Sequence, residues 1–321
     1  MRARGRLPGV VCAVAVAALA PAGCGDEGVG ETPGLGGASA DAGLLVYALA
    51  GDVGQLDPLL ATSRSDQLVT RQIHEPLVES LAGPFGDVRR VRGLAIAWRS
   101  TPDREIWSFR LRRGIRFQDG TPFNASAVLA NANRWRTLPQ GRALLPNLLA
   151  VDAPRPDMVR FILDSPVPDL PARLASPRLG VVSPRALEPR EGAGATLLRT
   201  DRSGTGPFEL RESPHGGPIV LARNTDWWGT RLDLGPALDQ VQFEIVPSSE
   251  ERLLLLRRGE AQAADSFGTG AIRELRKHPL LTFVRGEGGA VLGLDRSVRG
   301  IDSASAIEPL SDVWLTVVGT E

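Results

Sequence analysis

A mixed fold of strands and helices, α/β or α+β, follows from three features of the sequence. A short apolar run, Leu44-Leu45-Val46-Tyr47-Ala48-Leu49, is followed by Gly51 and Gly54, the pattern of a buried strand that ends in a loop. Trp107, Phe109 and Leu111 alternate with polar residues, as a half-buried strand requires. Ser248 and Glu251 stand in the S-x-x-E relation of a capping box, and Leu253 to Leu256 then run on to Gly259, so one helix has both ends marked. The connections are long, and there is no internal repeat.

The chain begins with Arg2, Arg4 and Arg6, an uncharged apolar stretch from Val10 to Ala20, and the small residues Pro21-Ala22-Gly23 before Cys24. This order reads as an export signal over residues 1–24. The apolar stretch is shorter than the roughly 20 residues a membrane span needs. Its end resembles a bacterial lipoprotein signal, which implies lipid on Cys24 and anchoring at the outer face of the cell membrane or in the periplasm. Pro21 sits where such signals usually carry leucine, so a plain secretory signal cut nearby and an uncleaved anchor stand beside that reading. Residues 25–43 are Gly, Ala, Ser, Pro, Thr and acid with no aromatic, a composition too poor in apolar surface to offset ordering, and read as a flexible linker.

The remaining elements follow in order. Ser63 to Ser80 places Leu68, Ile73, Leu77 and Val78 among polar residues, which suggests a helix interrupted near Pro76. Trp107 to Phe117 reads as two strands about a turn at Arg113-Gly114, and Asp119-Gly120 as a further turn. Asn124 to Arg136 is expected to be helical with Asn124 as its cap. A turn over Pro154 to Asp157 precedes a strand from Met158 to Leu163, and Trp314, Leu315, Val317 and Val318 form a candidate closing strand.

Composition narrows the function. The 321 residues hold 37 basic and 37 acidic side chains, and removing the three signal arginines leaves 34 against 37, so no basic excess argues for nucleic acid. Cys12 and Cys24 are the only cysteines, and both lie in the first 24 residues, so the body has no internal disulfide and depends on its core. Lys277 is the only lysine, a skew from which no function is read. His74, His215 and His278 are isolated, and neither an H-E-x-x-H metal site nor a G-x-S-x-G elbow is present, so no catalytic residue, metal or cofactor is assigned. Gly204-Thr205-Gly206-Pro207 looks like a phosphate loop but lacks the following Lys and Ser or Thr. A strand-entry turn where backbone passes close to another segment is the better reading. Trp227 and Trp228 read as packing rather than ligand stacking.

A series of motifs in order then resembles the extracytoplasmic solute-binding proteins of ABC importers, family 5, the peptide- and nickel-binding class. The motifs are Leu56-Asp57-Pro58, Glu75-Pro76-Leu77-Val78, Leu94-Ala95 with Trp98, and Trp107-Ser108-Phe109-Arg110-Leu111-Arg112 with Gly114, Phe117, Asp119-Gly120 and Pro122-Phe123. Gly204 to Phe208, Arg223-Asn224, Trp227-Trp228-Gly229, Leu256 and Gly259-Glu260 follow. The resemblance implies an α/β, class II periplasmic-binding-protein-like fold. This chain would supply mainly the first lobe over residues 44–321, with an inserted subdomain at about 80–175. It also implies capture of a peptide or other small solute and delivery to membrane permease subunits, with no enzyme activity.

The resemblance assigns Asp52 and Val53 to contact with a peptide main chain, and the loop that follows the first strand, including Gly54, becomes the candidate ligand site. Open α/β sheets bind ligands beyond the carboxyl ends of their strands, where this loop falls. A solvated turn acid is the alternative for Asp52, and Asp57-Pro58 reads as a structural turn. Family members close a second lobe over the solute. After Ala290 to Leu294 this chain has little of the sequence that would form it, so a one-lobed binding protein with weakened capture is expected. An accessory envelope lipoprotein that keeps the fold without capturing solute is the competing expectation.

Overall fold

The computed structural model describes residues 43–82, 88–188, 203–214, 217–232, 236, 238–267, 281–285 and 291–295. Cys24, residues 25–42 of the linker, His215, His278 and the candidate strand at Trp314 to Val318 lie outside the described residues. In chain order the elements are β1 (Leu44–Leu49), α1 (Arg64–Ile73), β2 (Val78–Ala82), β3 (Val88–Arg92), β4 (Ala95–Ser100), β5 (Ile106–Leu111), α2 (Ala125–Thr137), α3 (Pro139–Leu144) and β6 (Leu148–Arg155). They continue with β7 (Met158–Leu163), α4 (Leu170–Leu174), β8 (Phe208–Glu212), β9 (Ile219–Arg223), β10 (Gln240–Ile245), α5 (Ser249–Arg258), β11 (Ala263–Ala264), β12 (Leu281–Arg285) and β13 (Val291–Asp295).

β1 lies inside a seven-stranded sheet of order β12-β13-β11-β1-β10-β9-β8. It is parallel to both neighbours, β10 and β11, whereas the outer pairs are antiparallel. A strand covered on both faces has no solvent side, which explains why Leu45 to Leu49 are all buried and read as one apolar run. Its alternation still sorts the two faces. Leu45, Tyr47 and Leu49 join Val69 and Ile73 of α1 with Phe208, Leu221 and Phe243 in one core. Val46 and Ala48 join Leu256 of α5 with Val246, Ala264 and Phe267 in another.

A second sheet, β4-β5-β7-β6, carries its own core, which runs from Leu59 to Val181. Trp107, Phe109 and Leu111 are buried while Arg110 between them is exposed, the alternation read from the sequence. Phe109 meets Phe161 edge to face at 5.3 Å, and Trp135 of α2 stacks on Phe161 at 6.5 Å. Asn124 caps α2 by accepting the Ala127 N–H at 3.1 Å. Asn131, fully buried within α2, donates to the Val182 carbonyl at 2.7 Å and accepts the Val182 N–H at 3.0 Å, so it fastens that segment to the helix.

Three expectations change. The helix read across Ser63 to Ser80 ends at Ile73, and Val78–Ala82 is a strand. Pro76 disfavours helical backbone at Glu75, so the helix has to end before that residue, and the chain is already extended at the cap His74. The second strand at Ile115 and Phe117 is an irregular segment with a single bridge between Arg116 and Pro122, although Gly114 does turn, at φ +76°. β6 continues to Arg155, so the turn before β7 is only Pro156-Asp157.

Gly204 and Gly206 act as the strand-entry turn. Gly206 donates its N–H to the Ile73 carbonyl at 2.8 Å, and a Cβ at Gly204 would lie 1.8 Å from the same oxygen. Only a residue without a side chain permits that approach. Gly204→Ala is therefore expected to destabilise the fold by about 3 kcal/mol. Gly54→Ala, at a site open for 4 Å around, should change stability by less than about 0.5 kcal/mol. Denaturant midpoints of the two variants check the contrast.

Candidate functional site

Because β1, β10 and β11 are parallel, their carboxyl ends share one edge of the sheet, and the segments after them, from Ala50, Val246 and Asp265, meet there. A loop carrying polar backbone at such an edge needs partners, and this one is held at both ends by carboxylates. Asp265 accepts the Ala50 N–H at 2.9 Å. Asp66, in the first turn of α1, accepts the Gln55 N–H at 3.0 Å. Asp66 also completes a capping box with Ser63, whose hydroxyl accepts the Asp66 N–H at 3.0 Å.

Between those two anchors Asp52 is exposed, and one of its oxygens accepts the Val53 N–H at 2.7 Å. Gly54 is also exposed. Val53 is wholly buried in the core with Leu49, Leu56 and Val69, so its side chain serves packing. The apolar side chain pins the loop down and turns its polar neighbours outward.

Beneath the loop lies a buried arginine that sequence reasoning passed over. Arg252 of α5 is 2% exposed, and its guanidinium donates to the carbonyls of Val246, Pro247, Asp265 and Ser266 at 2.6 to 2.9 Å. It ties the exit of β10 to the exit of β11 and holds Ser266 at φ +58°, a left-handed conformation costly for a residue with a Cβ. Asp265 is buried beside it, and burial pushes its carboxyl above the usual range. Arg64, the first residue of α1, approaches the other side of Asp265 with Nε at 3.7 Å. Of these residues only Asp66 had a local sequence signal, the S-x-x-D spacing from Ser63. The partners of Asp265 and Arg252 come together through the sheet.

A second polar constellation ties the two cores together. Glu75 is fully buried, and Trp228 donates its indole N–H to both carboxylate oxygens at 2.9 Å. The Arg112 guanidinium lies 4.0 Å above the Trp228 ring centre, a cation–π contact. Trp228 packs against the second core, and Trp227 is buried, in line with packing roles. His74 donates from Nδ1 to the Thr70 carbonyl at 3.3 Å and accepts the Ser203 hydroxyl at Nε2, 3.0 Å away. Asp57 accepts the Leu59 N–H at 3.0 Å and pairs with Arg134, which makes Asp57-Pro58 a structural turn. Among the described residues no group of three or more His, Cys, Asp or Glu side chains is placed to hold a metal ion.

Residues 90–313, more than half of the chain, match the family described as bacterial extracellular solute-binding proteins, family 5. The chain belongs to this family. Its members are extracytoplasmic solute-binding proteins, and the fold is the class II periplasmic-binding-protein fold. Among curated relatives, the probable D,D-dipeptide-binding periplasmic protein DdpA of Escherichia coli K12 is 29% identical over 237 residues, covering 73% of this chain and 45% of that protein. The glutathione-binding protein GsiB of the same strain is 30% identical over 230 residues, covering 68% of this chain and 41% of that protein. This family 5 chain thus spans less than half the length of these relatives. Among solved structures, DppA from Helicobacter pylori in complex with the peptide STSA superposes with a TM-score of 0.63 at 24% identity, over 76% of this chain and 50% of that one. NikA from Brucella suis in complex with Fe(III)-EDTA superposes at 0.64 and 24%, over 76% and 48%. These similarities show a shared fold.

Burial pushes Glu75 from its ordinary 4.5 up to about 8, and burial also pushes His74 from 6.5 down to about 4. Glu75 therefore holds a proton in the folded chain at pH values where the unfolded chain has released it. Its contribution to stability is complete below pH 4.5 and is lost as pH rises through 8. His74 has the opposite sign, with its contribution present above 6.5 and lost as pH falls through 4. Glu75→Gln, which keeps the neutral shape, should gain stability relative to wild type as pH is raised from 4.5 to beyond 8. Unfolding midpoints measured across that range check the sign.

Proposed function

We propose that this family 5 chain is the solute-binding component of an ABC importer for peptides, anchored through a lipidated Cys24 and delivering its solute to membrane permease subunits. The observation that carries the reading is the loop from Ala50 to Gln55, fixed at both ends by Asp265 and Asp66, with the Asp52 carboxylate facing outward at the carboxyl edge of β1. Such an acid accepts charge-assisted hydrogen bonds from a peptide amine or amide. The similarity to DdpA, a probable D,D-dipeptide-binding protein, and to GsiB, a glutathione-binding protein, supports small peptides as the solute class. On this reading residues 44–321 form one solute-binding domain, with an insertion at about 80–175, and the self-contained core from Leu59 to Val181 supports that division.

Thermal unfolding of the purified full chain in detergent, with and without a mixed pool of di- and oligopeptides, tests the reading. A solute at 100 times its dissociation constant adds about 2.7 kcal/mol to the folded state. The midpoint is expected to rise with the pool, and to rise less for Asp52→Asn. A midpoint indifferent to peptides removes peptide capture from the proposal and favours the accessory lipoprotein. The anchor is tested separately. Wild type should incorporate labelled fatty acid in cells and Cys24→Ser should not, and a wild-type chain that takes up no label would rule out lipid on that residue.

A further inference from the structure

Besides Asp66, which is committed to the Gln55 and Ser63 N–H groups, the charged side chains Asp52, Arg64, Arg252 and Asp265 stand at the carboxyl edge of β1, β10 and β11, and they differ in what they have left to offer. Arg252 is buried and its guanidinium is committed to four backbone carbonyls. Asp265 is buried and engaged with the Ala50 N–H. Asp52 is exposed and accepts from its own neighbour, with the rest of its carboxylate turned to solvent. Arg64 is different. Its side chain is 41% exposed, it is drawn toward Asp265 through Nε at 3.7 Å, and its two terminal nitrogens make no hydrogen bond with any described residue.

An arginine held from behind in this way is a fork whose tines meet no partner among the described residues. A planar guanidinium presents paired N–H donors that match a carboxylate, and prior positioning by Asp265 reduces the freedom it loses on binding. Arg64 is also the first residue of α1, which Ser63 and Asp66 cap, so its backbone is fixed at the point where the loop from β1 is fastened. We propose that Arg64 is a carboxylate-recognition residue of this site, and that its solutes are peptides with a free C-terminal carboxylate. Asp52 then favours the cationic part of the same solute, and the site as a whole selects a zwitterion. This inference rests on the solute-binding reading given above.

The dipeptide alanyl-phenylalanine and its C-terminal amide, titrated by calorimetry into the full chain in detergent, distinguish the possibilities. Wild type is expected to bind the free acid about tenfold more tightly than the amide, the scale of one charge-assisted pair. Arg64→Gln should lower affinity for the acid to that of the amide and leave the amide unchanged, whereas Arg64→Lys, a point charge, should keep part of the preference. Three outcomes overturn the assignment. They are a wild type that binds acid and amide alike, an Arg64→Gln variant that retains the preference, and an Arg64→Gln variant that weakens both ligands equally, as a purely structural role beside Asp265 would. A wild-type chain that binds neither ligand fails at the earlier step, and the solute-binding reading falls together with this one.

Discussion

The guanidinium of Arg252 is the fastening on which the functional edge depends. It sits at the place where two parallel strands end, donates to four carbonyl oxygens there, and so sets the direction in which the chain leaves both strands. No other side chain type supplies that many donors in one plane. Asp265 stands next to it and turns back to the first strand through Ala50, so the exits of β1, β10 and β11 form one hydrogen-bonded unit. The outward position of Asp52 and the support of Arg64 both follow from that unit.

A similar economy holds in the interior between the two cores. Glu75 follows directly on α1, yet its partner Trp228 lies in a segment more than 150 residues later, and Arg112, stacked on that indole, comes from the end of β5. Three stretches of chain thus converge on one buried carboxyl. A buried acid is tolerable because Trp228 donates to both oxygens and because the group sheds its charge. The close approach of Gly204 and Gly206 to Gln72 and Ile73 completes the joint from the opposite side.

Much of this architecture is legible in the sequence, and the reason is locality. β1, β5, β7, α2 and α5 declare themselves because period, caps and glycines act over a few residues, as Asn124 and Gly259 do at the ends of their helices. The stretch after His74 was misread because Leu77 and Val78 continue a helical spacing, while the effect of Pro76 on Glu75 decides the backbone. At the candidate site, Asp52 is legible as a loop acid, whereas Val53 enters only through the family resemblance, which speaks of main-chain contact and says nothing of where its side chain packs. Asp265 and Arg252 left no local trace at all, since the Ala50 bond joins residues 215 positions apart.

The placement of β1 carries a kinetic consequence. It is the earliest described strand in the chain, yet both of its neighbours in the sheet lie about two hundred residues later, with Leu44 opposite Gln240 and Tyr47 opposite Ala263. Until nearly two hundred further residues have been made, this apolar segment has nothing to pair with, so the central sheet cannot assemble stepwise from the N-terminus. Contacts of such sequence separation are slow to form because a long loop must close before they yield any stabilisation. The same delay leaves a nascent chain without its central layer until β10 and β11 have been made. That condition exposes it to aggregation, and it also leaves it threadable through a narrow pore.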